Sequence, residues 1–388
     1  MPLSTHFPTR FVAGALAVAG APGSPPLAIA PADSVVAVRA GGVLDPATGV
    51  TTAGVTILIR NGVITAIGRN VRVPAGAQEV DATRYTVLPG LVDAHVHLTL
   101  QGRPRDNARK TLEAGFTLVA DLGSAAGGGV RLRRLIDADS IAGPRIVAAG
   151  SWIGGRGGVC EFGGATIRGA AEARARAEQD IAAGADLLKV CVTDWLDPSV
   201  AHPDSVELTD DEMAAIASAG EAAHVRLVAH AIGPAGVTLA LRHGVRLFAH
   251  TPVVDSAGAL ALARSKACVV TTLSTLLQGN AADSLRASFR RLRAAGVRLV
   301  AGTDAGVLAH GKNADELVTL VAMGLTPREA IAAGTFEAAG CLGLPAYGRL
   351  VVGSPADLVG VVGDPLEDVS RLRAPGFVMK GGRVVIGG

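Results

Sequence analysis

From about residue 89 to 345 the chain alternates short apolar runs with longer amphipathic stretches, at intervals of about 30 residues, the spacing of β-strand and α-helix units that follow one another. Eight runs read as strands: GLVDAHVHL, TLVADLG, RIVAAGS, DLLKVCV, RLVAHA, RLFAHT, VVTTLS and RLVAGTDAG. Between them, stretches such as AAEARARAEQDIAAGA, TDDEMAAIASAGEAAH and DSLRASFRRLRAAG read as helices, each ended by Gly or His shortly before the next strand. Eight such units in about 250 residues predict a closed parallel (β/α)8 TIM barrel. An open doubly wound sheet is the runner-up, but it calls for a phosphate-binding Gly-rich turn after its first strand. Here that strand ends in His-Val-His.

The flanks have a different texture. From Ser34 onward, β-rich runs are broken by Gly, Asn-Gly and Asp-Pro, and the same texture returns after about residue 346. This predicts a small antiparallel β-sandwich domain formed from both chain ends, residues 33–88 and 346–388, around a barrel domain at 89–345. Residues 1–32 read either as an export signal peptide, with Arg10 before the apolar run Phe11 to Ala21 and a small-residue triplet Ala30-Pro31-Ala32, or as a disordered Ala/Pro-rich leader. The first reading implies a periplasmic or secreted protein, the second a cytoplasmic one.

Polar residues that interrupt the strand ends carry the chemistry. His95 and His97 are two apart on one strand, so their imidazoles share a face. Such a pair alone is equally readable as structural. Lys189 lies inside the apolar run Leu187-Leu188-Lys189-Val190-Cys191. A buried, unpaired ammonium costs several kcal/mol, so the amine is expected to be held neutral, and a neutral amine can add carbon dioxide to become a carbamate anion. The alternatives are a lysine that snorkels out or pairs with Asp186 or Asp194. His230 and His250 end the fifth and sixth strands and Asp304 the eighth, at the barrel end where catalytic groups gather. Imidazoles, a carboxylate and a carbamate together suit zinc, with manganese, cobalt or nickel also compatible.

Charge narrows the partners. The 388 residues carry 36 Lys+Arg against 34 Asp+Glu and contain no basic blocks, so nucleic acid is not an expected partner. No run of about 18 apolar residues reads as a membrane span. Cys160, Cys191, Cys268 and Cys341 lack paired motif spacing and are expected to be buried free thiols, although Cys160 and Cys191 could approach each other, which spacing does not show. Homo-oligomerisation is left open.

VLPGLVDAHVHL, GTDAG and GSPADLVGVVGDPLEDV, in this order, resemble the signatures of the amidohydrolase superfamily over nearly the whole chain. The lysine on the fourth strand is similar to that of its binuclear branch, and AGADLLKV, VAHA and TPREAIAAGT resemble prolidase-like and imidazolonepropionase-related members. The resemblance implies that His95, His97 and Asp304 bind the more buried of two divalent cations, that His230 and His250 bind the more exposed one, and that carboxylated Lys189 bridges them. Val192 to Trp195 and Ile232 depart from the pattern, on what the resemblance implies is the substrate side.

This reading predicts a metal-dependent amidohydrolase that cleaves a C–N bond with a metal-bridging hydroxide, Asp304 moving the proton from the attacking water to the leaving nitrogen. The expected substrate is a small molecule such as a dipeptide or N-acyl amino acid. Arg156 in the run Gly154 to Gly158, together with His310 and Lys312 after the eighth strand, are candidate contacts for a substrate carboxylate; a neutral loop and an exposed loop histidine are the plain alternatives. The same site could serve a lactonase, esterase or phosphotriesterase, and a scaffold that has lost its metals is the non-enzymatic alternative.

Overall fold

The computed structural model describes residues 35–194, 205–250, 252–278 and 282–387. The leader at 1–32 and Trp195 lie outside them. All eight predicted barrel strands form, at Leu91–Val96, Phe116–Asp121, Arg145–Gly155, Leu187–Cys191, Arg226–His230, Leu247–Ala249, Cys268–Val270 and Arg298–Val300, and each pairs in parallel with the next. They are called the first to eighth barrel strands below. The sheet closes on itself where the Ala94 amide donates to the Ala301 carbonyl (3.0 Å), the Asp304 amide to His95 (2.8 Å) and the His97 amide to Ala305 (2.7 Å). Gly302 permits this closure, because a Cβ there would lie 2.9 Å from the His95 nitrogen and 2.2 Å from Val270.

The three helical stretches picked out by periodicity fold at Ala170–Ala183, Asp210–Ala222 and Ala282–Ala294. The second opens on a capping box in which the Thr209 side chain accepts from the Glu212 amide and Glu212 reaches back to the Thr209 backbone. Along the fourth strand Leu188, Val190 and Val192 join the apolar layer under the helices, while Leu187 joins the barrel interior. The period of two therefore points Lys189 inward, and likewise His230 beyond the interior residue Val228.

The expected β-sandwich is built from one hydrogen-bonded sheet of seven strands. Val35–Asp45, Val50–Arg60, Val63–Gly68 and Gln78–Pro89 come from the N-terminal side, and Leu358–Val361, Phe377–Lys380 and Arg383–Ile386 from the C-terminal side. The two halves join where Leu358–Val361 pairs antiparallel with Gln78–Pro89. One pair departs from the antiparallel expectation: Val35–Asp45 and Gln78–Pro89 run parallel, and the hairpin between them in sequence, Val50–Arg60 with Val63–Gly68, lies on the other side of Val35–Asp45.

The expectation of free thiols is corrected. Cys160 is bonded to Cys191 and Cys268 to Cys341, with Cα atoms 6.2 and 6.0 Å apart. Their separations of 31 and 73 residues match no short motif. The fold pairs them instead: Cys191 ends the strand next to the loop holding Cys160, and the helix Phe336–Cys341 returns against the start of the seventh strand.

Candidate metal centre

His95 and His97 alternate with Val96 and Leu98, which pack outward under the helices, so both imidazoles face the barrel interior. Asp304 meets them from across the closure. Its Oδ1 lies 3.4 Å from His95 Nε2 and 3.2 Å from His97 Nε2, and those two nitrogens are 3.2 Å apart. Two imidazoles and a carboxylate crowd one buried point, the arrangement of a cation site. His250 continues the cluster, its ring centroid 4.7 Å from that of His95 and 4.8 Å from that of His230.

Lys189 is 2 % exposed, and its Nζ has no hydrogen-bond partner. Burial pushes its amine down to about 7, against the pull of Asp304, and its charge bears in turn on His95, His230 and His250. The structure thus brings all six predicted ligand residues together. Burial also lowers the basicity of the rings, His230 to about 3 and His95 and His250 well below the usual imidazole range, which keeps them neutral and able to donate a lone pair. Burial alone would raise the Asp304 carboxyl, but His95 and His97 beside it hold it well below the usual carboxylate range. The donor set fits divalent cations: neutral imidazoles, an ionised carboxylate and an unpartnered buried amine meet in one pocket.

His250 and Asp304 have φ of 79° and 60°, and Thr272, whose hydroxyl lies 3.0 Å from His250 Nδ1, has φ of 46°. Non-glycine residues in this region cost about 1–3 kcal/mol each and gather at functional sites. The surroundings absorb that cost here.

Several supporting residues were not singled out from the sequence. Asp93 Oδ1 accepts from the amides of His95 (3.1 Å) and Thr303 (3.0 Å), and Oδ2 from the Thr303 hydroxyl and the Asn313 side chain, both 2.7 Å. Burial raises its pKa to about 6, with the Asn313 and Thr303 hydrogen bonds opposing. Asp121, at the end of the second strand, accepts from the Leu98 amide, and burial raises it to about 7, with His97 and that hydrogen bond opposing. Trp152 packs on the His97 ring with centroids 5.3 Å apart. The signal available for Asp93 and Asp121 was a carboxylate inside an apolar strand, the same pattern that marks Lys189.

The substrate-contact candidates fall in different places. Arg156 is exposed in the turn after the third strand, and Lys312 is exposed beyond the eighth. His310 is buried instead of standing in an open loop, with Nδ1 3.0 Å from the Thr111 hydroxyl and Nε2 3.4 Å from the His97 carbonyl, and burial lowers it to about 4. It braces the His97 backbone, because the loop folds back over the first strand. Val192 belongs to the apolar layer under the helices, and Ile232 is fully buried with its amide donating to Thr193 Oγ1. Of the departures from the expected pattern, Val192 and Ile232 are therefore packing positions.

Comparison with known proteins gives concordant results. The pattern of the Amidohydrolase family matches residues 86–385. The ochratoxinase of Aspergillus niger is 24% identical, the match covering 93% of this chain and 89% of that protein. Among solved structures, a Xaa-Pro dipeptidase with methionine bound in its active site superposes with a TM-score of 0.84 at 27% identity, covering 90% of this chain and 99% of that one. A prolidase in complex with N-methylphosphonate-L-proline superposes with a TM-score of 0.83 at 25% identity, covering 92% of this chain and 100% of that one.

Proposed function

Because the chain belongs to the amidohydrolase family, and is accordingly an enzyme that hydrolyses C–N bonds, we propose that it cleaves the amide of a small carboxylate-bearing compound, a dipeptide or an N-acyl amino acid, at a centre for two zinc ions. The observation that carries this reading is the unpartnered, buried Lys189 Nζ amid inward-facing imidazoles and Asp304. A lysine so placed has no structural use as an ammonium. As a carbamate it would be an anionic group able to help hold divalent cations. His95, His97 and Asp304 would hold one ion, His230 and His250 the other, and Lys189 both. Bound there, the ions supply Lewis acidity and make water acidic enough to ionise near neutral pH.

The residues of the chain do the rest. Asp304, kept ionised by its histidine neighbours, is the base that takes the proton of the attacking water. As water oxygen adds to the carbonyl carbon and the C–N bond breaks, the same carboxyl returns that proton to nitrogen, so that the amine leaves neutral. Asp93 and His310 hold the backbones of His95 and His97 during this exchange. Arg156, exposed in the turn after the third strand, is the candidate partner for a substrate carboxylate. The two disulfides support export to an oxidising compartment.

Metal analysis of protein purified with zinc and bicarbonate, combined with assays on dipeptides, N-acyl amino acids, their neutral amides, cyclic imides and lactones, tests the proposal. About two metals per chain and preference for the acids are expected. Equal turnover of acid and neutral amide, or fast lactone cleavage with no amide cleaved, defeats the substrate reading.

A further inference from the structure

An aromatic ladder runs outward from the candidate metal centre. The His97 ring packs on Trp152 at 5.3 Å, and Trp152 packs on Phe162 at 4.9 Å. Trp152 is buried, wedged so tightly that a Cβ on Gly123 or Gly163 would lie 2.4 or 2.5 Å from its ring. Phe162 is 60% exposed, the only aromatic among the exposed large apolar side chains of the described residues. In a chain with 3% aromatics, an uncovered phenyl ring two steps from the centre is a costly placement unless something covers it.

The loop that presents this ring is pinned. Cys160, two residues before Phe162, is bonded to Cys191 at the end of the strand that carries Lys189. The Val159 amide donates to Glu207 Oε1 at 2.8 Å. Cys160, Cys191 and Trp152 form a small apolar cluster of their own beneath the loop. Phe162 is thus held against Trp152 at a fixed distance from the centre, which a surface side chain without a partner does not require. Val307, 53% exposed and three residues past Asp304, adds apolar surface beyond the eighth strand.

We propose that Phe162, backed by Trp152, is a specificity-determining platform that receives an aromatic group adjoining the scissile amide, so that the favoured substrates are N-acyl aromatic amino acids or dipeptides with an aromatic residue. This rests on the amide-hydrolase reading of the same site and names its substrate class. An aromatic ring laid on Phe162 removes two apolar faces from water and gains a stacking contact, whereas a methyl group in the same place covers little of the ring.

The test compares N-acetyl-L-phenylalanine with N-acetyl-L-alanine on the zinc-loaded parent enzyme, Phe162→Ala, Phe162→Leu and Phe162→Tyr. Calorimetric Kd values for free L-phenylalanine and L-alanine are measured on the same proteins. The parent is expected to favour the phenyl compounds about tenfold or more in kcat/KM and in Kd. Phe162→Ala should lose most of that preference through KM, with the metal content little changed. Phe162→Leu should fall between, and Phe162→Tyr should keep the preference. Equal parent affinity for phenyl and methyl ligands, or an undiminished preference in Phe162→Ala, overturns the proposal. If neither amide is cleaved but phenylalanine still binds more tightly and needs Phe162, the platform stands and the amide substrate reading fails alone.

Discussion

The Asp93 carboxylate on the first barrel strand accepts the Thr303 hydroxyl at 2.7 Å across the seam where the barrel closes. Thr303 immediately precedes Asp304, and Asp93 also accepts from the His95 amide. One buried carboxylate therefore sets the spacing between two candidate ligands that lie more than 200 residues apart in the chain.

Asp93→Ala should consequently weaken both the fold and the metal site. It leaves the Thr303 hydroxyl, the Asn313 amide and two backbone amides without their acceptor, a loss of about 2–4 kcal/mol in stability. Metal affinity should fall about 10–100-fold, as for other supporting groups behind ligands. Chemical denaturation and metal-buffered titration measure the two effects; an unchanged metal affinity would show that the seam does not position His95 and Asp304.

Lys189→Ala should retain the fold, because it removes an unpartnered amine from a buried position. It should lose most of its activity and bind fewer metals per chain. Short carboxylic acids should restore part of both by entering the space the carbamate leaves. Two tightly held metals with full activity in this variant would remove Lys189 from the centre.

In Asp304→Asn the side chain keeps its shape but cannot take up a proton as a carboxylate does. Its kcat is expected to drop by at least about 10²-fold, with the fold and part of the metal retained. A drop of less than tenfold, measured at saturating substrate and full metal loading, would place the proton transfer on another group.

The double variant Cys268→Ser with Cys341→Ser opens a loop spanning 73 residues and should cost about 2–4 kcal/mol in unfolding experiments. This bridge lies at the start of the seventh strand, away from the ladder built on Trp152, so KM should change little. An equal loss of stability on adding reductant to a variant in which Cys160 and Cys191 are already serines would tie the effect to the bond itself. No loss in either experiment would mean that the bridge adds nothing to the fold.

The eight barrel strands and the shared face of His95 and His97 were legible in the sequence, because a period of two along a strand is a local property that side-chain chemistry writes directly. Lys189, His230, His250 and Asp304 were visible for a related reason: polar groups inside or ending apolar runs are costly unless they serve a site. The tertiary structure decided what local pattern cannot encode. Asp93 gained its role only when the first and eighth strands met, His310 was buried only because its loop folded back over His97, and the four cysteines paired only once neighbouring strands and the last barrel helix brought them within about 6 Å. Likewise nothing in the run from Gly154 to Gly164 announces that Trp152 and Phe162 stack. Contacts between residues distant in the chain depend on loop closure and packing, and those follow from the assembled barrel as a whole.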